Sequence, residues 1–232
     1  MKITLTAAAA LLALSTPLMA QENMRAGLGV TSLGATVEGQ YRINENWAVR
    51  GLYSGGLSYD DSGTEVESDV TATYSGSGNL GGAAILMDYY VGGSGFKISG
   101  GLLMSTTGLD LSSNLSPTGN GSFDFGDLDI TAGSIDVDAS AEFKRSMAPM
   151  ITLGYDWQIT DRFSLNAEVG AIAIGGFDID MTATPDQDAI NAGFDQAAID
   201  AEIDAEIAKA QDDIGNSADL YPFIGIMGTW RF

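Results

Sequence analysis

The sequence predicts an all-β protein, an eight-stranded antiparallel transmembrane β-barrel with an acidic helix in its last outer loop. The first observation is the alternation of apolar and polar residues over 147–177, where Ile151, Leu153 and Tyr155 share one parity. Period two is the spacing of a strand with one apolar face. The second is that tight turns at 44–46, 92–95 and 160–162 alternate with longer polar loops, and the third is that aromatic residues gather beside those turns. Outer-membrane barrels combine these features.

Residues 1–20 have the composition of a secretory leader. Lys2 supplies a positive start, Ala7 to Leu14 form an apolar run too short to span a bilayer as a helix, and Leu18-Met19-Ala20 resembles a small-residue cleavage site. We therefore expect residues 1–20 to be a signal peptide. Residues 21–232 are expected to form the barrel, because barrels of this size are often one domain.

The strands are predicted in order by the same alternation. Residues 24–43 form either one long segment or two strands that meet near Ser32-Leu33-Gly34. The count is eight only if they are two, since three tight turns and two free ends then complete an even-numbered barrel. Turns are predicted at 44–46 and 60–63, and extended segments at 47–59, 65–74, 81–89, 96–108, 140–159, 163–177 and 221–232. Leu111 to Asp138 is expected to be a long loop, and Asp178 to Asp219 the longest insertion.

The acidic helix is predicted at Asp188 to Ile214, within this insertion. Apolar residues recur at helical spacing in two adjoining stripes, and the opposite side is acidic. One stripe contains Ile190, Phe194, Ala198, Ala201, Ala205 and Ala208, and the other contains Ile199, Ile203, Ile207 and Ile214. Asp186 or Asp188 is expected to cap its start, and Gly215 with Asn216 its end. The helix either packs across the outer mouth or acts as a lid.

If the apolar parity faces lipid, the polar parity faces the barrel interior. These candidate interior residues are Arg25, Glu38, Gln40, Arg42, Arg50, Asp88, Lys97, Asp156, Glu168 and Arg231, with Gln158 on the same parity. An eight-stranded barrel has an interior that side chains just fill, and buried charges must pair. We expect an ion-pair network that closes the interior, or else a narrow path for a small solute.

The composition restricts the possible functions. The formal net charge is −21, so no basic surface for nucleic acid is expected, and the chain has no cysteine and no histidine. Since no catalytic base or motif is recognisable, we expect no enzyme activity, no cofactor and no metal site. The surplus Asp and Glu residues lie in the loops, where a mouth of one charge sign concentrates cations.

Three stretches resemble a known family. They are RAGLGVTSLGATVEGQYRINENWAVRGLYSG near the start, APMITLGYDW in the middle, and the acidic helix before YPFIGIMGTWRF. They resemble small proteobacterial outer-membrane barrels of the CarO type, described as uptake porins for ornithine or basic amino acids. The resemblance covers most of the chain after the leader. It implies eight strands and an occluded or very narrow interior.

The sequence therefore predicts a cell outer-membrane protein, a narrow porin for passive uptake of small, cationic solutes. The alternative is a closed structural or surface-interaction barrel without transport. Its expected partners are outer-membrane lipid and lipopolysaccharide, small solutes, and the barrel-insertion machinery, which would read the C-terminal Phe232 with Trp230 on the same face.

Overall fold

The computed structural model describes residues 2–5, 23–67, 69–119, 122–125, 128–191, 196–210 and 219–232. In these ranges the chain is an antiparallel all-β protein with two α-helices and one 3-10 turn at Val91–Gly93, and none of these helices is long and apolar enough to cross a membrane. The strands are β1 (Lys2–Leu5), β2 (Met24–Thr31), β3 (Gly34–Arg42), β4 (Trp47–Glu67), β5 (Val70–Tyr90), β6 (Phe96–Ser105), β7 (Gly108–Pro117), β8 (Phe123–Phe125), β9 (Leu128–Ile130), β10 (Ile135–Phe143), β11 (Met147–Gln158), β12 (Phe163–Ile172), β13 (Phe177–Pro185) and β14 (Tyr221–Arg231). The helices are α1 (Gln187–Asn191) and α2 (Gln196–Ala210).

Eight of the described strands pair in a closed circuit, which we call the closed sheet. β2 pairs with β3, β3 with β4, β4 with β5, and β5 with β6. β6 then pairs with β11, β11 with β12 and β12 with β14, and β14 returns to β2. Residues 24–43 are thus two strands, joined by a turn in which Gly34 has a φ of 115°. A closed circuit leaves no free edge along its paired length.

The two faces of the closed sheet differ as the alternation predicts. On β3, Thr36, Glu38 and Gln40 are buried, while Val37 and Tyr41 between them are exposed. The same contrast recurs around the circuit. Exposed apolar side chains of the outer face include Leu28, Val30, Val49, Tyr53, Ile85, Met87, Ile98, Leu102, Met104, Ile151, Leu153, Val169, Ile224 and Ile226. Soluble monomers rarely expose so extended an apolar surface.

Three tight turns lie at one end of the closed sheet, together with the start of β2 at Met24 and the end of β14 at Arg231. We call this the turn end. At the β3–β4 turn, the backbone N–H of Ile43 donates to the Trp47 carbonyl at 2.8 Å, and at the β11–β12 turn Ile159 N–H donates to Phe163 O at 3.0 Å. Aromatic pairs flank these turns: Trp47 with Tyr89, Tyr155 with Trp157, and Phe163 with Trp230, with ring centroids 4.8, 5.0 and 4.4 Å apart.

At the opposite end the sheet continues beyond the circuit, and this corrects two predictions. The predicted turn at 60–63 is wrong, because β4 runs through it to Glu67 and β5 begins at Val70. The predicted loop from Leu111 to Asp138 is also wrong in large part, because β7 and β10 lie within or across it. We call the added region the sheet extension: residues 57–67 of β4 and 70–80 of β5, with β7, β10 and β13 in that order.

The sheet extension has one polar face and one largely apolar face. Across the strands, Asp60 pairs with Ser77, Ser77 with Asp110, Asp110 with Ser140, and Ser140 with Asp180. The neighbouring rows of this polar face are also mostly Ser, Thr, Asn, Asp and Glu, with Val66 and Gly108 among them. Ser and Asn side chains there donate to carboxylates: Ser112 Oγ to Asp138 and Asn114 Nδ2 to Asp136, both at 2.6 Å.

A β-bulge separates the closed sheet from the extension. The register between β4 and β5 shifts between Ser54 and Leu57, and Gly56 in this step has a φ of 80°, a conformation that favours glycine. The extra residue exchanges the faces of β4. Arg50 and Leu52 are buried inside the closed sheet, whereas beyond the bulge the odd-numbered Leu57 and Tyr59 continue the inner face, opposite Leu80 and Gly78 of β5.

The predicted acidic helix is present as α1 and α2, and it lies against the extension. The second of the two predicted stripes is the buried one: Ile199 and Ile203 pack with Ile130, Ile135 and Ala183. Ile190 of the first stripe is exposed. The expected C-terminal cap at Gly215 and Asn216 falls outside the described residues.

Asp186 caps the start of α1, one of the two caps predicted. Its Oδ1 accepts the Ala189 backbone N–H at 2.8 Å, and its Oδ2 accepts the Ser134 hydroxyl at 3.0 Å. The bond from Ala189 is the main reason that the pKa of Asp186 lies below its usual value.

The predicted leader contributes one described segment. β1 pairs with β4 from Lys2 opposite Asp60 to Leu5 opposite Leu57. Cleavage after Ala20 would remove this strand and free that edge of β4. The cleavage itself stays a prediction, since residues 6–22 fall outside the described part of the chain.

We expect Ile203→Ala to loosen α2 from the extension. Ile203 is buried in the cluster, and truncating a buried Ile costs about 2 to 5 kcal/mol. Hydrogen exchange should become faster in α2 and β13 but not in β2 and β3. The control is Ile190→Ala, which removes an exposed side chain of α1 and should leave exchange unchanged. Equal exchange in the two variants would contradict the packing described here.

Candidate functional site

Arg50 lies at the centre of a buried ion-pair network inside the closed sheet. Its guanidinium contacts carboxylates from three other strands: Glu38 Oε2 at 3.2 Å, Asp88 Oδ1 at 3.1 Å and Glu168 Oε1 at 2.8 Å. A guanidinium is always charged and presents donors in several directions, so it can bridge several carboxylates. The Arg50 side chain is fully buried, so among the described residues these carboxylates, and not solvent, neutralise it.

Lys97 extends the network across the interior. Its Nζ lies 2.6 Å from Glu168 Oε1 and 3.4 Å from Asp156 Oδ1. Asp156 in turn is 3.4 Å from the Arg25 guanidinium. Ion pairs and hydrogen bonds therefore connect β2, β3, β4, β5, β6, β11 and β12, and they tie the register of each strand to that of its neighbours.

Uncharged polar groups complete the network. The Tyr90 hydroxyl donates to Asp156 Oδ2 at 2.8 Å and accepts from Gln40 Nε2 at 2.9 Å. Gln40 also donates to Asp88 at 2.7 Å. The Arg42 guanidinium lies over the Tyr90 ring, 3.8 Å from its centroid, in a cation–π contact.

Glycines leave the space that these side chains occupy. A Cβ added at Gly154 would lie 2.7 Å from Glu168 Cγ and 3.0 Å from Lys97 Cε. One added at Gly27 would lie 2.7 Å from Glu38 Cγ. Gly154 and Gly27 thus leave room for the charged side chains of the interior.

The structure places all ten predicted interior residues on the inner side of the closed sheet or at its rim. It brings together Arg25, Glu38, Gln40, Arg50, Asp88, Lys97, Asp156 and Glu168. Arg42 joins them through Tyr90 rather than through a carboxylate. Arg231 lies apart at the turn end, where its guanidinium donates to the Asp161 carbonyl.

Two groups of interior residues were not predicted from the sequence. Tyr90 is fully buried, and its parity with Asp88 could have identified it. The other group is an apolar cluster toward the extension end: Leu33, Leu52, Ala84, Leu86, Leu103, Phe143, Ala148, Met150, Ile172, Ile174 and Phe223. An apolar residue on the polar parity carries no clear signal in a single sequence, because apolar residues are assigned to the lipid side.

The interior is therefore filled in two layers, an ionic layer toward the turn end and the apolar cluster toward the extension. Thr31, Thr36 and Ser54 form a buried hydroxyl cluster on the inner side, in which the Thr36 and Ser54 hydroxyls are 2.7 Å apart. Among the described residues, no group of three or more His, Cys, Asp or Glu is placed to hold a metal ion. The arrangement holds strands in register and fills space.

We expect Arg50→Met to destabilise the protein strongly. The change leaves Glu38, Asp88 and Glu168 buried without their shared partner, and breaking a buried pair costs about 3 to 5 kcal/mol. Urea unfolding of refolded protein in vesicles, followed by tryptophan fluorescence, measures the change. The matched control is Lys209→Met, which breaks an exposed pair with Glu206 and should cost at most about 1 kcal/mol. Equal losses would show that the Arg50 network does not stabilise the fold.

Comparison with known proteins identifies the fold. No protein-family model and no curated protein matches the sequence. The crystal structure of Acinetobacter baumannii CarO2 matches with a TM-score of 0.52 at 16% identity, over 90% of this chain and 97% of that chain. The crystal structure of Acinetobacter baumannii CarO matches with a TM-score of 0.49 at 18% identity, over 90% and 96% of the two chains. The match to CarO2 shows that this chain has the CarO-type β-barrel fold.

Proposed function

We propose that the chain is an outer-membrane protein whose eight-stranded closed sheet spans the bilayer. The exposed apolar band of the closed sheet supports this proposal, because lipid is the solvent that such a surface requires. The aromatic pairs at the turn end match an interfacial girdle. Short turns are periplasmic in such barrels, so the turn end faces the periplasm and the sheet extension faces outward.

Within the membrane, the barrel acts as a closed structural wall and not as a pore. The observation that carries this conclusion is the filled interior. Arg50, Asp88 and Glu168 have fully buried side chains, and the apolar cluster closes the same interior beside them. A hydrated path would need accessible polar groups along its length, and the apolar cluster interrupts any such path.

The part of the protein that meets the environment is the sheet extension. Its polar face carries exposed carboxylates of Asp60, Asp110, Asp136, Asp138, Glu142, Asp178 and Asp180. These residues belong to strands, so a rigid sheet, rather than a flexible loop, fixes the spacing of their carboxylates. We assign the extension the role of a surface-interaction platform, carried by the barrel.

The narrow porin remains the second candidate. The acidic extension favours it, because one sign of charge concentrates cations near the mouth. Transport would require the side chains of the apolar cluster to move apart, and a conductance experiment would detect the resulting current. No catalytic role is assigned to the interior charges, since they are occupied in ion pairs with one another.

We expect the purified protein to be silent in planar bilayers and in liposome swelling with basic amino acids. Deleting residues 182–216 should also leave it silent, because the apolar cluster lies in the barrel beneath the extension. A wild-type current that the deletion increases would establish the porin and reject the closed barrel. The positive control is a triple variant that thins the apolar cluster and should therefore conduct: Leu52→Ala, Leu86→Ala, Phe223→Ala. Its matched partner removes three exposed side chains of the outer face and should stay silent: Leu28→Ala, Ile85→Ala, Ile224→Ala.

We also expect the protein to fractionate with outer membranes and to require detergent for extraction. An exposed apolar band of this extent would aggregate in water. Density-gradient separation of membranes after expression in a Gram-negative cell gives the readout. Recovery as a detergent-free periplasmic monomer would overturn the membrane assignment while leaving the fold intact.

A further inference from the structure

A small pocket at the turn end collects three arginines. Arg25, Arg162 and Arg231 line it, and its volume is about 10 Å³, roughly the space of one water molecule. The chain brings the three together through its strand ends. Arg25 and Arg231 are directly opposite on β2 and β14, and the Arg231 backbone N–H donates to the Arg162 carbonyl at 2.8 Å.

These positive charges are poorly compensated. Arg25 has one ion pair, with Asp156, which Lys97 shares. In the described part of the chain, Arg162 and Arg231 form no ion pair, and the Arg231 guanidinium donates to a backbone carbonyl. Like charges directly opposite on neighbouring strands destabilise a sheet. A protein with a net charge of −21 thus keeps a local cluster of three cations, of which Arg162 and Arg231 form no ion pair among the described residues.

The other lining groups are mostly suited to an anion. Ser164 and Thr229 are buried. The Ser164 hydroxyl and the Gln158 amide can donate to an anion, whereas the Thr229 hydroxyl donates to the Ser164 carbonyl at 3.4 Å. Asp161 supplies the one carboxylate among the lining residues. Asp156 pairs with Arg25 from outside the lining, so the pocket keeps a net positive charge that suits an anion. Guanidinium groups also match the geometry of phosphate oxygens.

We propose that this pocket binds a phosphate group, with one oxygen seated among the arginines and the remainder open to solvent. Two sources share this chemistry, free phosphate and the headgroup of a phospholipid in the adjacent leaflet. The pocket lies next to the Phe163–Trp230 pair, so a headgroup at the membrane interface is within its surroundings. The assignment of this end to the periplasm rests on the proposed function, whereas phosphate binding itself does not.

Calorimetric titration of inorganic phosphate into the refolded protein in octyl glucoside, a detergent without phosphate, tests the proposal. Wild type should bind saturably, and Arg162→Gln and Arg231→Gln should each bind at least tenfold more weakly. The matched control is Arg145→Gln, an exposed arginine near the opposite end that donates to the Ala173 carbonyl at 3.3 Å and should bind as wild type does. Chloride and acetate are titrated at equal ionic strength.

Equal phosphate affinity in all four proteins would overturn the proposal, and so would equal binding of chloride. Acetate binding as tight as phosphate would overturn the choice of phosphate. Arg162 lies in an exposed turn, so its variant keeps the test valid if Arg231→Gln misfolds, and gel mobility before and after heating reports folding.

Phosphatidylglycerol added to the micelles identifies the source. Competition with phosphate supports a headgroup site, and absence of competition supports free phosphate. The result is independent of whether the barrel conducts.

Discussion

The structure depends on the neutralisation of one buried guanidinium. Arg50 is held by carboxylates that three other strands supply, and each of those strands must present its carboxylate at the right height. A shift of one residue in any of them would turn the carboxylate toward the outer face, because the side-chain period of a strand is two. The ionic requirement therefore selects a single register for the strands that contribute to the network. The exposed apolar band follows from the same choice, since it occupies the other parity.

The parts of the fold that local chemistry determines could be predicted from the sequence. Alternation placed Glu38, Arg50 and Glu168 on the inner side, and turn residues located the turn end, because both signals act over a few residues. Which carboxylate meets Arg50 could not be predicted, since that depends on the stagger between strands distant in the chain. The sheet extension was also missed in large part, although residues 65–74 were predicted to be extended. Its Ser-, Asn- and Asp-rich strands have low intrinsic preference for β structure and form because neighbouring strands pair with them.

The interior combines two ways of filling a narrow space. Toward the turn end, charged and polar side chains satisfy one another, and glycines such as Gly154 make room for them. Toward the extension, aliphatic and aromatic side chains fill the space without any polar requirement. The ionic layer gives specificity of register, and the apolar layer excludes water from it, which strengthens the ion pairs by lowering the local dielectric constant.

The extra residue of β4 between Ser54 and Leu57 has a consequence for how such a chain can diversify. It changes which parity of β4 faces inward. The two halves of the β4–β5 hairpin, one in the closed sheet and one in the extension, therefore follow separate patterns of apolar and polar residues. Substitutions that remodel the outer rows, where Ser77 and Asp110 stand, leave the frame around Arg50 unchanged. The glycine step thus separates an anchor, whose geometry the ion pairs fix, from a display surface whose chemistry is free to vary.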